Sequence, residues 1–301
     1  MPNTLCHIAL QAPPARQRPE YLPWILLGCI LPDVPWIMLH LLLPTHLFEP
    51  FALRFYATAQ ASFAYCLLIS ATLSLFTRHS GVVFALLGGN CLFHLLLDSL
   101  QDKWGNGVNI LAPFDWHLFS LNLISTDNYL TAVVTTCGLI LLTALWGKSC
   151  AALRQSPPLQ LPRGKKALFA LLFAALYLFT PPLFYGEMDR ADTWNLHTVR
   201  LKAERPGKAI SYDRGRYDAA TQTLQIFSGE KLHLEGKLPG ESGRVSIKGV
   251  FISPERVRVS ALHLHNSHRD RASRLGILLA CLFLCQSLFF PRLSRLWRHR
   301  I

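Results

Sequence analysis

Four ionisable residues stand in strongly apolar stretches of the chain, where a charged side chain is costly unless it serves a purpose. His7 lies in TLCHIAL, Asp33 in GCILPDVPWIML, and His94 and Asp98 in FHLLLDSL. On a helix, the i, i+4 spacing of His94 and Asp98 puts both side chains on one face, one turn apart. Two imidazoles and two carboxylates are a suitable ligand set for a divalent cation such as zinc, manganese or iron. The sequence therefore predicts a metal site formed by these four residues.

A cation with an open coordination position would make hydroxide available for hydrolysis by lowering the pKa of bound water. Asp33 or Asp98 can instead orient a histidine or act as general base, so both are candidate catalytic residues. Pro32 and Pro35 flank Asp33 and predict a break in its helix. Irregular backbone at membrane depth is found where it is buried in protein or lines a cavity.

Structural roles for the same residues stay open. His94 and Asp98 can be a hydrogen-bonded pair that stabilises helix packing. Asp33 can cap the helix that follows it, and His7 can be an incidental N-terminal histidine.

The elements that must position these residues are apolar blocks. Hydrophobic residues make up 51% of the 301-residue chain and charged residues only 16%, which is unusual for a soluble protein. Several blocks approach the ~20 residues that cross a bilayer as a helix. The sequence predicts an α-helical polytopic protein of the lipid bilayer, with about six transmembrane helices. The predicted crossings are residues 22–43, 60–76, 81–100, 129–146, 167–185 and 275–290.

Basic residues follow the same division of the chain. They precede the first block, occupy one turn and the linker 147–166, and fill the C-terminal tail, and six crossings put all of these segments on one side. This positive-inside pattern predicts a protein of the bacterial inner membrane with both termini cytoplasmic. Because topology accounts for much of the net charge of +12, no nucleic-acid partner is expected. The basic residues of these segments are Arg16, Arg18, Arg78, Lys148, Arg154, Arg163, Lys165, Lys166, Arg292, Arg295, Arg298 and Arg300.

Residues 186–274 are charged, rich in turns and alternate in polarity. The segments GKAISYD, QTLQIF, KLHLEGK, GRVSIKGV and RVRVSALHL read as five short strands. They predict a small inserted all-β domain, an OB-like barrel, outside the cytoplasm. A slip in alternation at Ala261-Leu262 predicts a bulge. The predicted division is a membrane domain 1–146, a linker 147–166, a transmembrane helix 167–185, the barrel 186–274, and a final helix and tail 275–301.

Two further segments carry candidate binding residues. In KWGNGVNILAPFDW (103–116), Trp104 and Asn106 can face a substrate, or the loop can be an aromatic-anchored turn between crossings. In HLHNSH, His263 and His265 fall on one face of a strand. A solvated strand edge explains these histidines better than metal binding does.

The motifs around the four ionisable residues resemble the bacterial membrane-bound metal-dependent hydrolase family over about residues 1–130. The similar features are an N-terminal histidine, LPD after an apolar stretch, and HLLLD followed by WGNGVNILAPF. The resemblance implies a site at His7, Asp33, His94 and Asp98 that holds zinc or manganese. The chain reads PDVP where the family has PDxD. LRFYATAQASF stands where the family has HRGxTHS, so Gln60 is a candidate for a ligand or substrate position.

Two functions from different classes follow. The first is metal-dependent hydrolysis of an ester or phosphoester at the membrane surface. The second is a non-catalytic membrane scaffold whose β domain binds an envelope protein. A transporter is less favoured, because the chain shows no internal repeat.

Overall fold

The computed structural model describes residues 3–102, 104–105, 107–125, 128–155 and 159–298, without the side chains of 154–155 and 288–298. It is mostly helical and contains one closed five-stranded barrel. The helices are α1 Thr4–Gln11, α2 Leu22–Ile30, α3 Val34–Leu42, α4 Pro50–Gln60, α5 Phe63–Ser74, α6 Ser80–Ser99, α7 Tyr129–Gln155, α8 Lys165–Phe179, α9 Tyr185–Arg190, α10 Leu196–Arg200 and α11 His268–Arg298. The strands are β1 Ala209–Asp218, β2 Thr223–Gln225, β3 Lys231–Glu235, β4 Gly243–Ser253 and β5 Arg256–Leu264.

Three helices of the described chain are long and apolar enough to cross a membrane: Pro19–Thr45, Ser80–Ser99 and Tyr129–Leu153. The number rises to five if two bent pairs, Pro50–Gln60 with Phe63–Ser74 and Lys165–Phe179 with Pro181–Arg190, each form one span. These lengths agree with a membrane-spanning helical part, for which six crossings stay a prediction.

Around Asp33, α2 and α3 follow each other within one continuous helical span. Leu31–Asp33 forms a single 3-10 turn inside a helical span of 27 residues. Pro35 lies in the first turn of α3, where a proline costs little because its missing N–H would have no intrahelical partner. The predicted break is therefore only a local tightening of the helix.

The N-terminal segment runs beside α7. Asn3 Nδ2 donates to Thr135 Oγ1 at 2.7 Å near the start of α7. Ser149 Oγ donates to the Pro19 carbonyl at 2.6 Å near its end. We call the end of the bundle where α6 ends and α7 begins the barrel end, and the opposite end the linker end. Residue 3 thus lies at the barrel end, and the chain reaches the linker end by Pro19.

Helix α11 runs in the same direction as α7. At Gly276, α11 lies so close to α1 that a Cβ there would be 3.0 Å from Leu5 Cγ. Further along, Trp146 Nε1 donates to Gln286 Oε1 at 2.8 Å. Residue 3 and the last turns of α11 therefore lie at opposite ends of the bundle. This packing does not support the prediction that both termini lie on one side.

The barrel closes in the order β1-β2-β3-β5-β4. All neighbouring strands are antiparallel except β3 and β5, which are parallel. Lys248 pairs with Ala261 and Gly249 with Val259, so the extra residue is Ser260, one position before the predicted bulge. Alternating apolar side chains fill the interior, among them Ile210, Tyr217, Leu224, Leu232, Leu234, Val245, Ile247, Phe251 and Val257.

The loop after α6 connects the helices to the barrel. The backbone N–H groups of Leu121 and Leu123 donate to the Ser99 and Leu100 carbonyls at 2.7 and 2.8 Å, which folds the loop over the end of α6. Gly105 contacts the backbone of Ser211 so closely that any Cβ would overlap its carbonyl. A glycine is required there for close approach. The barrel consequently lies beside the end of α6 that carries Asp98.

Candidate metal centre

His7, His94 and Asp98 form one buried group. One potential ligand atom from each lies within 4.8 Å of the others. His7 Nε2 is 3.3 Å from Asp98 Oδ1, and His94 Nε2 is 3.8 Å from Asp98 Oδ2. The two imidazoles stack with their centroids 3.8 Å apart and their planes within 3°. Residues 7 and 94 have no exposed surface, and Asp98 is 3% exposed, so the three side chains share one enclosed polar site.

Asp33 lies beside this group. Its Oδ1 is 3.7 Å from His94 Nε2, and its side chain is 15% exposed, whereas that of His94 is fully buried. The 3-10 turn at Leu31–Asp33 brings the carboxylate to this position from the middle of the first span. Asp33 therefore occupies the more accessible side of the site.

Hydrogen bonds on the far side of the histidines fix their orientation. His94 Nδ1 lies 2.7 Å from the Cys29 carbonyl oxygen. Because a carbonyl only accepts, Nδ1 carries the proton and Nε2 keeps its lone pair. His7 Nδ1 lies 3.4 Å from Gln11 Nε2, and Cys29 Sγ donates to Gln11 Oε1 at 3.1 Å. Gln11 and Cys29 thus join the two histidines in one outer layer, which metal sites commonly have.

The position of His7 depends on close packing of α1. Asn3 caps the helix, since its Oδ1 accepts from the Cys6 N–H at 3.1 Å. Gly138 of α7 packs directly on the Leu5 carbonyl, where any Cβ would overlap. These contacts hold α1 at the barrel end of the bundle, at the level of His94 and Asp98. They explain how an N-terminal histidine meets residues near the end of α6.

The donor atoms fit a divalent cation. Among the described residues, neither His7 Nε2 nor His94 Nε2 has a hydrogen-bond partner. A buried polar atom left in this state costs about 1–3 kcal/mol, and a cation would satisfy both nitrogens together with Asp98. Two imidazole nitrogens with carboxylate oxygen suit zinc, manganese or iron. The buried group could therefore hold a metal ion.

The other candidate residues make contacts elsewhere. Gln60 Nε2 donates to the Tyr177 carbonyl at 3.3 Å and so connects α4 to α8. Trp104 stacks on His263 at 6.3 Å between centroids, and Lys248 Nζ is 5.2 Å from its ring. These contacts place Trp104 at the junction between the loop and the barrel. Asn106 lies outside the described residues.

His265 has a structural environment rather than a metal-binding one. Its Nε2 lies 2.7 Å from Ser246 Oγ, and its Nδ1 lies 3.1 Å from Arg214 Nη1. The guanidinium can only donate, so Nδ1 must accept and Nε2 must carry the proton. Burial, together with the charge of Arg214, lowers the pKa of His265 to about 4. Ser246 also donates to Asp213 Oδ1 at 2.6 Å, so the serine is not activated as a nucleophile.

Sequence reasoning did not identify Gln11, Cys29 or Gly138. Gln11 could have been found, because it follows His7 at i+4 on the same helix.

Comparisons with protein-family models, with curated proteins and with solved structures find no match to this chain.

Proposed function

We propose that the protein is an integral membrane metal-dependent hydrolase whose centre is formed by His7, His94 and Asp98, with Asp33 as a further ligand or general base. One observation carries the proposal: three buried side chains from α1 and α6 that could hold a metal ion meet, and the Nε2 atoms of the two histidines have no hydrogen-bond partner among the described residues. The resemblance to the bacterial membrane-bound metal-dependent hydrolases agrees with the same residues.

The roles of the residues follow from their contacts. A bound zinc or manganese ion would polarise an ester or phosphoester oxygen and lower the pKa of a coordinated water. His94 would bind through Nε2, because its Nδ1–H is used on the Cys29 carbonyl. Asp98 faces both histidines and would be the carboxylate ligand. Asp33, on the accessible side, would take the proton from an incoming nucleophile.

The proposed substrate position is the membrane surface at the barrel end. Arg16 and Arg18 precede Pro19 at the linker end, and Lys148 lies next to Ser149 there. By the positive-inside rule this end would be cytoplasmic, so the barrel would lie outside the inner membrane of a bacterium. The strand order with parallel β3 and β5 supports an OB-type barrel.

The test is metal content followed by hydrolysis. The full chain is purified in detergent and its metals are measured by mass spectrometry, for the wild type and for His94→Gln and Asp98→Asn. We expect about one zinc or manganese per wild-type chain and little in either variant. Hydrolysis of a membrane-soluble chromogenic ester or phosphodiester should fall with the metal.

The matched control is His233→Gln, because His233 is an exposed histidine on β3, outside the group. It should keep both metal and activity. Wild-type protein that remains metal-free after incubation with zinc and with manganese would disprove the proposal. Full metal content without hydrolysis would show that the metal site is structural rather than catalytic.

A second candidate is a non-catalytic scaffold whose barrel binds an anionic envelope partner. Arg216 and Arg244 are register partners on β1 and β4 and both are exposed. Like charges directly opposite each other destabilise a sheet. The carboxylate of Asp270 is 3.8 Å from Arg244 Nε, which is a long distance for an ion pair. This arrangement favours an anionic surface as partner. Metal-free wild-type protein would favour the scaffold.

A further inference from the structure

A second group of unsatisfied polar atoms lies where α4 meets the barrel. The guanidinium carbon of Arg54 is 4.4 Å from the ring centroid of Phe227, 5.6 Å from that of Trp194 and 5.9 Å from that of Trp36. Trp36 and Trp194 contact each other at 4.9 Å between centroids. The three rings come from α3, the turn before α10 and the barrel, and they hold one cation between them.

The aromatic rings do not satisfy the hydrogen-bonding capacity of this cation. A guanidinium has five N–H donors in a rigid fork. In the part of the chain that the structure describes, Arg54 Nε is shielded from solvent and has no hydrogen-bond partner. The acidic groups whose charges act on Arg54 are Tyr212 and then Asp213, and Asp213 already accepts from Ser246. Arginine is seldom buried without a carboxylate or carbonyl partner.

Trp194 also has a hydrogen-bond donor without an acceptor. Its indole Nε1 is buried and has no hydrogen-bond partner among the described residues. The guanidinium carbon lies 5.6 Å from the centre of the same ring, so one small acceptor could reach both groups.

The backbone of Trp194 is also strained. Asp192, Trp194 and Asn195 have φ of 44°, 61° and 58°, in the left-handed region that non-glycine residues seldom adopt. Asp192 accepts from Thr198 N and Oγ1 at 3.0 and 2.6 Å, which holds the turn. Backbone strain that the surroundings maintain is concentrated at binding sites.

We propose that Arg54 and Trp194 bind the oxygen atoms of a phosphate group. A tetrahedral oxyanion presents several acceptors at the spacing of the guanidinium fork, and the charge of Arg54 selects an anion over a neutral acceptor. The indole N–H donates to a further oxygen. The site is separate from the metal centre, and its existence does not depend on hydrolysis.

Two sources can supply this group: a phospholipid headgroup or free phosphate. The residues before α4 favour the lipid, because Leu47 and Phe48 are 75% and 54% exposed and would suit the interfacial layer of a bilayer. The experiment compares the two sources directly.

The full chain is purified in a maltoside detergent and a phosphate-free buffer. It is titrated with inorganic phosphate, with dioleoylphosphatidylglycerol and with phosphate-free dioleoylglycerol. Binding is measured by calorimetry and by tryptophan fluorescence, since Trp36 and Trp194 line the site. We expect saturable binding of a phosphate-bearing ligand and none of dioleoylglycerol. Binding of both inorganic phosphate and the phospholipid identifies a site that accepts either source of the phosphate group. Binding of the phospholipid alone identifies a site for lipid headgroups.

Arg54→Gln removes the charge and should weaken binding by about 10–100-fold, the range for a hydrogen bond to a charged group. Trp194→Phe keeps the ring and removes the N–H, and should weaken binding about tenfold or more, because the acceptor is charged. The control, Arg256→Gln, removes an arginine whose side chain is 63% exposed at the barrel surface, and should bind as the wild type does. If Arg54→Gln fails to fold, the binding affinity of Trp194→Phe tests the proposal instead. The proposal is overturned if neither phosphate ligand binds or if the folded variants bind with wild-type affinity.

Discussion

At the residue scale, the proton on each imidazole decides what the buried group can bind. The Cys29 carbonyl fixes the His94 proton on Nδ1, so Nε2 is a lone-pair donor facing Asp98 and Asp33. For His7 the corresponding partner is the Gln11 amide nitrogen, which donates to Nδ1 and so leaves the proton on Nε2 until the amide turns its oxygen toward the ring. Gln11 is therefore the residue through which the second imidazole can change tautomer when a cation binds.

This role predicts the effect of Gln11→Leu. The leucine fills similar volume but leaves His7 Nδ1 and Cys29 Sγ without their partner, so His7 loses its fixed orientation. Metal affinity should fall about 10–100-fold, as is typical when an outer-layer partner is removed. The measurement is a competition titration of zinc against a chromophoric chelator in detergent. Unchanged affinity would mean that helix packing alone orients His7.

A second residue-scale prediction concerns His265, whose pKa is lowered to about 4 by burial and by Arg214. Asp213, Arg214, Ser246, His263, Arg269 and Asp270 surround it. Between pH 6.5 and about 4 the unfolded chain binds a proton at this histidine and the folded chain does not. Stability should therefore fall as pH falls through this window, by at most about 3 kcal/mol.

The measurement is thermal unfolding in detergent between pH 7 and 4.5, comparing the wild type with His265→Gln. Other groups titrate in both proteins, so the informative quantity is the difference between the two curves. The wild type should lose more stability than the variant as pH falls. Parallel curves would contradict the lowered pKa.

At the element scale, two glycine contacts hold α1 in place. Gly138 of α7 and Gly276 of α11 both allow α1 to approach at the level of Leu5, and His7 lies two residues further along α1. Small residues that permit close approach are typical of helix contacts in membranes. The metal centre is therefore predicted to depend on a contact outside it.

Gly138→Ala tests this dependence. The added methyl group would overlap the Leu5 carbonyl, so α1 must shift and His7 must move away from Asp98. We expect about tenfold or greater loss of zinc affinity, although the substitution raises intrinsic helix propensity by about 1 kcal/mol. Gly147→Ala is the matched control on the same helix, because a Cβ there meets nothing within 4 Å. Equal zinc affinity in both variants would refute the coupling.

Sequence patterns located some elements of this arrangement and not others. Alternation along 209–264 was enough to predict five strands, because each barrel strand buries every second residue. The i, i+4 spacing of His94 and Asp98 likewise placed them on one helical face, because this period is also local. The packing of α1 against α7 joins residues 133 positions apart, Leu5 and Gly138, and no local period reports such a contact. The Arg54 group likewise draws on three distant segments and could not be inferred.

At the scale of the whole molecule, charge and packing together predict one orientation in a membrane. Arg78 belongs to the turn after α5, and the Phe76 carbonyl in that turn accepts from Gln160 N of the basic linker at 2.8 Å. The basic segments thus gather at the linker end, while the barrel and Asn3 lie at the other. The positive-inside rule applied to this bundle would put the linker in the cytoplasm and residue 3 outside with the barrel.

Protease accessibility of terminal tags tests this orientation. In spheroplasts of a bacterium that expresses the chain, an added protease should remove an N-terminal epitope tag and leave a C-terminal tag intact. The reason is that α1 descends from the barrel end, whereas α11 runs from the barrel toward the linker end. An alkaline-phosphatase fusion after residue 230 should be active, which reports the side of the barrel independently. If both tags are protected while this fusion is active, α1 enters from the cytoplasm, and the meeting of His7 with Asp98 must be abandoned together with the metal centre.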